Sequence, residues 1–151
     1  MPTTTTLAYP ACTCGRLRRA ARALTQLYDD LMEPSGLRVT QFSLLRTLAT
    51  HGPARMSDLA KTLLLDRTAL SRTLDPLVER GLVAITAGRD ARTREVSLTH
   101  AGARAVRGAT PHWQRAQSQV AAQIGPDKLD TLIATLTEVE QLHPDPGGVA
   151  R

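Results

Sequence analysis

The chain has 151 residues, 42% of them hydrophobic, and carries 19 Lys and Arg against 14 Asp and Glu, a net charge of +5 at pH 7. This length fits one domain with its own core, and because only 3% of the residues are aromatic, Leu, Ala and Val must build that core. No apolar run reaches the length of a membrane span, and the N-terminus lacks a signal-peptide pattern. We therefore expect a cytoplasmic protein with no membrane partner, in which the two cysteines are reduced.

The first predicted helix covers residues 11–33 and ends at Pro34-Ser35-Gly36, after a tail at residues 1–10. Apolar residues recur along it at helical spacing. They are Leu17, Ala20, Ala21, Leu24, Leu27, Tyr28 and Leu31. Together with the last helix, this stripe is longer than the small core of one chain can cover, so the terminal helices are predicted to form a dimerisation layer.

Two cysteines, Cys12 and Cys14, stand in the first turn of this helix and are followed by several arginines. A thiol at a helix N-terminus beside arginines is oxidised more readily than most. Cysteine is also a comfortable small buried residue at a helix start, so a redox role and a structural role both stay open. The C-x-C spacing is too tight for a zinc site, and the four histidines have no ligand spacing, so we predict neither a metal nor a cofactor.

A second helix is predicted to begin with Thr40 as its N-cap and to end at His51-Gly52-Pro53. Its buried positions are Phe42, Leu44, Leu45 and Leu48. The short segment 54–56 that follows can supply a minimal strand.

Residues 57–81 read as helix, turn, helix. Ser57 is the predicted N-cap of the first helix and Asp66 that of the second, which ends near Arg80 before Gly81. The second helix has an inward apolar stripe of Leu70, Leu74, Leu77 and Val78 and an outward polar stripe of Thr68, Ser71, Arg72 and Asp75. Short hydroxyl side chains and one arginine suit a helix that presses against base edges in a DNA major groove.

After Gly81 the hydrophobic period changes to two, which predicts a hairpin of strands at 83–86 and 96–99. Its tip turns at Gly88 and carries Arg89, Asp90, Arg92 and Arg94. A basic hairpin tip alone is usually only a solvated loop. This tip follows directly on a two-helix unit with a polar outer face, which favours a winged helix-turn-helix that binds DNA. The predicted DNA-binding residues are Ser57, Thr68, Ser71, Arg72, Arg89, Asp90, Arg92 and Arg94.

Residues 90–102, DARTREVSLTHAG, resemble the wing signature of the MarR family of bacterial transcription regulators, and residues 70–83, LSRTLDPLVERGLV, resemble that family's recognition helix. The resemblance covers nearly the whole chain and implies a mainly α fold with a small β wing. It also implies that Asp90 orients Arg92, which enters the minor groove, and that Thr68, Ser71 and Arg72 face the DNA.

Beyond the wing, a long helix is predicted from residue 99 or 100 to 124, and a last helix after Gly125-Pro126-Asp127. The domain prediction is one MarR-like domain at 11–143, with dimerisation helices at 11–33 and 100–143, a winged helix-turn-helix at 37–99 and a tail at 144–151. A two-fold dimer of terminal helices, which the resemblance also implies, would present two recognition helices to major grooves about 34 Å apart.

The function predicted from these features is that of a homodimeric, sequence-specific DNA-binding regulator, a repressor rather than an enzyme, on a palindromic operator in double-stranded DNA. A small aromatic ligand between the dimer helices and the DNA-binding lobe is one candidate signal. An oxidant is the other, because Cys14 and Tyr28 resemble the reactive pair of the family's hydroperoxide-sensing branch, although Val39 replaces that branch's second tyrosine and only Cys12 could resolve the oxidised thiol. A winged-helix module that binds protein instead of DNA is the remaining alternative.

Overall fold

The structure, a computed structural model, describes residues 8–144. Its elements follow in the order α1 (Thr13–Met32), a 3₁₀ turn (Glu33–Ser35), α2 (Val39–His51), β1 (Ala54–Arg55), α3 (Met56–Thr62), α4 (Arg67–Glu79), β2 (Val83–Ala87), β3 (Arg94–Leu98), α5 (His100–Ile124) and α6 (Pro126–Glu140). The predicted mainly α fold with a small β wing is thereby confirmed. Most of both predicted tails lies outside the described residues, and no described helix is long and apolar enough to cross a membrane.

The three strands form one antiparallel sheet in the order β1-β3-β2. Val96 at the centre of β3 faces Ala54 of β1 and Ile85 of β2, and its side chain is fully buried. The predicted hairpin and the minimal strand before α3 are therefore confirmed, but the second hairpin strand is Arg94–Leu98 and not 96–99, so Arg94 lies in β3 and not in the tip. The sheet fixes the base of the wing to the helix-turn-helix, because β1 runs directly into α3.

Two predicted helix caps are wrong. Helix α2 begins at Val39 rather than after Thr40, because the Asp29 carboxylate accepts the Val39 N–H at 2.8 Å and Gln41 Oε1 accepts the Arg38 N–H at 3.1 Å. Helix α3 begins at Met56, so Ser57 lies inside its first turn and makes no cap. In both places the start of the helix is set by neighbouring structure and not by the residue with the best N-cap propensity.

The core lies between α2, α4, the sheet and α5. Its largest fully buried side chains are Phe42, Met32, Leu44, Leu45, Leu48, Leu59, Leu70, Leu74, Leu77 and Val96. The inward stripe of α4 is confirmed for Leu70, Leu74 and Leu77, but Val78 is 38% exposed and does not belong to it. Val78 is one residue past Leu77, about 100° further around the helix, and so lies at the edge of the buried face.

Helix α5 connects the terminal helix α1 with the core, since it packs against both α1 and α2. The side of α5 that meets them is built from small residues, and Trp113 packs on Phe42 with ring centroids 5.8 Å apart. The Arg46 guanidinium lies over the Trp113 ring, 4.1 Å from its centre. Tyr28 of α1 donates a hydrogen bond to the Gln117 side chain of α5.

Helix α6 packs on α5 near their junction and has no buried residue in the single chain. Ile133 is 56% exposed, and Leu129, Leu132, Leu136 and Val139 are only half-buried. Helix α1 is similar, with Met32 as its one buried residue. The apolar faces predicted for the terminal helices are therefore left largely uncovered by the rest of the described chain.

Candidate nucleic-acid interface

Helix α4 starts with a well-formed N-cap, since the Asp66 carboxylate accepts the Ala69 N–H at 2.7 Å, as predicted. The preceding turn passes through Leu64, which has a left-handed φ of 51°. That turn sets the angle between α3 and α4. The outer face of α4 then presents Thr68 and Arg72 to solvent.

The remaining residues of the predicted outer stripe differ in exposure. Asp75 is exposed, but Ser71 is half-buried. The Ser71 hydroxyl can therefore meet only a surface that approaches the helix backbone closely, as a base edge does in the major groove.

The tip of the wing is closed by its own hydrogen bonds. The Asp90 carboxylate accepts the Arg92 N–H at 3.2 Å, and the Asp90 carbonyl oxygen accepts both the N–H (2.9 Å) and the hydroxyl (2.8 Å) of Thr93. The Gly88 N–H donates to the Thr93 carbonyl oxygen at 2.8 Å. The contact between Asp90 and Arg92 thus orders the backbone of Arg92, and the exposed guanidinium is left available for a ligand.

A cleft of about 250 Å³ lies between the wing and the first residues of α3 and α4. Four arginines line it: Arg55, Arg67, Arg92 and Arg94. Its other lining residues are Met56, Ser57, Ala60 and Thr93, so the described side chains that form this cleft include no carboxylate. Four guanidinium groups around one cleft suit a polyanion such as the phosphate backbone of DNA.

Two of these arginines, Arg55 and Arg67, were missed by the sequence analysis. Arg67 is the first residue of α4, directly after the predicted cap Asp66. Its place at the start of the predicted recognition helix could therefore have marked it as a DNA-binding residue. Arg55 had no such signal, because its neighbour in the cleft, Arg92, is brought close only by the pairing of β1 with β3. Arg89 is exposed at the wing tip and does not line the cleft.

The cysteines lie far from this interface in sequence, at the start of α1. Cys12 occupies the N-cap position and Cys14 the first turn, and both are exposed free thiols. Cys12 and Arg16 line an open cleft of about 460 Å³. Within the described residues no group of three His, Cys, Asp or Glu side chains could hold a metal ion.

Tyr28 is not brought to Cys14 within one chain. The two residues are 14 positions apart on α1, which corresponds to about 21 Å along a helix axis. The Tyr28 hydroxyl instead donates a hydrogen bond to the Gln117 side chain. Burial raises the pKa of this phenol above its usual value of 10.0.

Comparison with known proteins agrees with this geometry. The model of the MarR family matches residues 37–92, which contain the helix-turn-helix and the wing tip. An uncharacterised HTH-type transcriptional regulator of Bacillus subtilis, YwoH, is 31% identical over 84 residues, which span 56% of this chain and 61% of that protein. The chain therefore aligns with less than two thirds of this curated relative.

Solved structures match over more of the chain. The M. tuberculosis transcriptional regulator MosR, crystallised in complex with DNA, is 39% identical with a TM-score of 0.76, over 86% of this chain and 96% of that one. A mutant MarR from E. coli complexed with operator DNA is 26% identical with a TM-score of 0.75, over 83% and 91% of the two chains. With its winged helix-turn-helix and its match to the family model, the chain belongs to the MarR family.

Proposed function

We propose that this protein is a DNA-binding transcriptional repressor that acts as a homodimer on a palindromic operator. The observation that carries the proposal is the cleft with four arginines beside the exposed outer face of α4. The similar regulators MosR and MarR, both solved with DNA, support it. The exposed side chains on the outer face of α4 are Thr68, Arg72 and Asp75, which are polar, whereas a protein-binding module would favour an apolar face.

Each group has a distinct role in this proposal. Thr68, Ser71 and Arg72 read base edges in the major groove, where short hydroxyls and arginine make direct hydrogen bonds. Arg92 enters the minor groove and reads its width. The other arginines of the wing and cleft, which are Arg55, Arg67, Arg89 and Arg94, bind phosphates and supply salt-dependent affinity.

The uncovered faces of α1 and α6 support the homodimer. A second copy related by a two-fold axis would cover both faces at once and place two recognition helices about 34 Å apart. A ligand bound between these helices and the DNA-binding lobe would change that separation. Such a change lowers operator affinity by shifting the population between two dimer geometries. We propose a small aromatic or phenolic compound as this ligand.

The test is a fluorescence anisotropy titration with the DNA upstream of the protein's own gene. Arg92→Ala should weaken binding by about 1–3 kcal/mol because it removes a groove contact. Lys128→Ala is the matched control, since it removes one positive charge from α6, outside the cleft. Equal binding by Arg92→Ala and wild type would refute the role of the wing, and no binding by wild type would favour the protein-interaction module.

A thiol switch is the second candidate, and the exposure of both thiols at the N-terminus of α1 favours it. An organic hydroperoxide would convert the Cys14 thiol to a sulfenic acid and would itself be reduced to the alcohol. Tyr28 could then contact Cys14 only from the other subunit. The same titration, repeated after a stoichiometric organic hydroperoxide, should lose binding in wild type and keep it in Cys14→Ser. If the oxidant leaves DNA binding unchanged, the thiol switch is refuted and the cysteines have a structural role.

A further inference from the structure

The C-terminal end of α4 is tied to the α1–α2 connection by one side chain. Arg80, the C-cap residue of α4, donates from Nη1 to the carbonyl oxygen of Gly36 at 2.9 Å, although the two residues are 44 positions apart. The Arg80 side chain is exposed and contributes nothing to the core. Its hydrogen bond therefore serves to join two elements and not to fill space.

The acceptor, Gly36, is held firmly at the end of α1. The Ser35 hydroxyl donates to the Met32 carbonyl oxygen at 2.7 Å and accepts the Leu37 N–H at 3.2 Å. Gly36 itself has a left-handed φ of 72° and donates its N–H to Glu33 at 3.0 Å. Since Met32 is fully buried, these hydrogen bonds attach the turn that contains Gly36 to a fixed residue at the end of α1.

The turn that ends α4 has a fixed backbone geometry. The chain leaves α4 with two closing hydrogen bonds, from the Gly81 N–H to Val78 and from the Leu82 N–H to Leu77, both at 2.9 Å. This is the Schellman arrangement, with Gly81 in the left-handed conformation at φ 68°.

Thr99, the N-cap of α5, links this turn to the next helix. Its hydroxyl donates to the Gly81 carbonyl oxygen at 2.6 Å and accepts the Gly102 N–H at 3.0 Å. The Leu82 carbonyl oxygen lies only 2.0 Å from the position that a Cβ on Gly102 would occupy. The backbones of the α4 exit and the first turn of α5 are therefore in direct contact.

We propose that residues 80–82 form a clamp that sets the orientation of the recognition helix relative to α1 and α5, with Arg80 as its positioning residue. The inference rests on the proposed function, because α1 and α5 belong to the dimerisation layer and α4 reads DNA. In a dimer, the clamp determines the separation and rotation of the two recognition helices. Arg80 thus selects the half-site spacing of the operator without contacting it.

The probe is the operator duplex obtained by footprinting the DNA upstream of the protein's own gene, with one base pair inserted or deleted at its centre. One base pair moves a half-site by about 3.4 Å and rotates it by roughly 35°. We expect wild type to lose about tenfold in affinity for the altered duplexes, within the range of a mismatched site. Arg80→Ala should bind all three duplexes within about threefold of one another, since its recognition helices are less constrained.

The controls separate positioning from DNA contact and from folding. Arg80→Lys retains a donor and a charge and should restore at least part of the spacing preference. Glu79→Ala changes the adjacent exposed residue of α4 and should behave as wild type. Arg80→Ala should keep the wild-type salt dependence and its affinity for a single half-site, because no phosphate contact has been removed.

Three results would overturn the clamp. One is a wild-type spacing preference in Arg80→Ala. The second is a weaker salt dependence together with weaker binding to a single half-site, which would make Arg80 a phosphate contact. The third is a wild-type protein that binds the operator equally well at all three spacings. A wild-type protein that binds no duplex at all would instead refute the proposed function, and the clamp with it.

Discussion

At Gly102 the backbone of a neighbouring segment leaves no room for a side chain. Its Cβ would lie 2.0 Å from the Leu82 carbonyl oxygen and 2.6 Å from a methyl carbon of Leu98. Because the first of these is backbone, it cannot rotate away. Gly102→Ala should therefore lower the free energy of unfolding by about 1–3 kcal/mol, the usual cost of an overpacked site.

Gly108 supplies the matched control, since it lies in the same helix and has nothing within 4 Å of a built Cβ. Gly108→Ala should raise the free energy of unfolding by roughly 0.5–1 kcal/mol, because alanine is the better helix former. Urea denaturation followed by the fluorescence of Trp113, the one tryptophan of the chain, measures both variants. A neutral Gly102→Ala would contradict the close approach of the two backbones.

Tyr28 makes the stability of the protein depend on pH in the alkaline range. Burial raises the pKa of this phenol above its unfolded value of 10.0, so between these two values the folded state binds more protons than the unfolded state. Stability from this group is complete below pH 10.0 and is lost as pH rises towards the folded pKa. Urea denaturation at several alkaline pH values should show a steeper loss in wild type than in Tyr28→Phe. Parallel curves for the two proteins would show that the phenol titrates alike in both states.

At the scale of single elements, the ends of helices show where local preference decides. Asp66 caps α4 as its residue type and position predict, and the cap bond to Ala69 N is 2.7 Å long. Thr40 and Ser57 have comparable preference but do not cap, because Asp29 and β1 set the starts of α2 and α3. The periodic interiors of the helices and the start of α4 were predictable, and the first residues of α2 and α3 were not.

The Asp66 cap can be tested by removing only its acceptor. Asp66→Ala should lower the free energy of unfolding by about 1 kcal/mol, because the Ala69 N–H loses its partner. Asp66→Asn keeps a side-chain oxygen and should cost only a few tenths of a kcal/mol. Chemical denaturation compares the three proteins. A loss of equal size in both variants would mean that the charge, and not the hydrogen bond, stabilises the helix.

At the scale of the whole molecule, the uncovered face of α6 predicts dimerisation. Ile133 is 56% exposed in the single chain, so Ile133→Glu should cost little in the fold of one subunit. In a dimer the same change would remove about 1–1.5 kcal/mol of apolar burial from each subunit, since Ile133 is already partly buried in the single chain, and the dissociation constant should rise at least tenfold.

Sedimentation velocity over a concentration series measures this dissociation. Thr135→Glu is the control, because it adds the same charge at an exposed position on another side of α6. A wild-type protein that stays monomeric at every concentration would contradict the dimer. Equal dimerisation of Ile133→Glu and wild type would place the contact on another face.

The helix-turn-helix could be predicted from the sequence, but the arginine cleft could not. The hydrophobic period, the cap at Asp66 and the stop at Gly81 are local properties, so the order of helices and the hairpin could be derived from neighbouring residues alone. The wing tip was predictable for the same reason, because Gly88 and Asp90 close it with hydrogen bonds to residues a few positions away.

The cleft and the clamp depend instead on residues that are distant in the chain. Arg55 and Arg92 line the same cleft only because β1 pairs with β3. Arg80 contacts Gly36 only because the fold brings the C-terminal end of α4 to the connection between α1 and α2. No local preference encodes such contacts, since their geometry is set by how the core packs. Local pattern thus determined which elements this protein has, and tertiary packing decided which side chains those elements bring together.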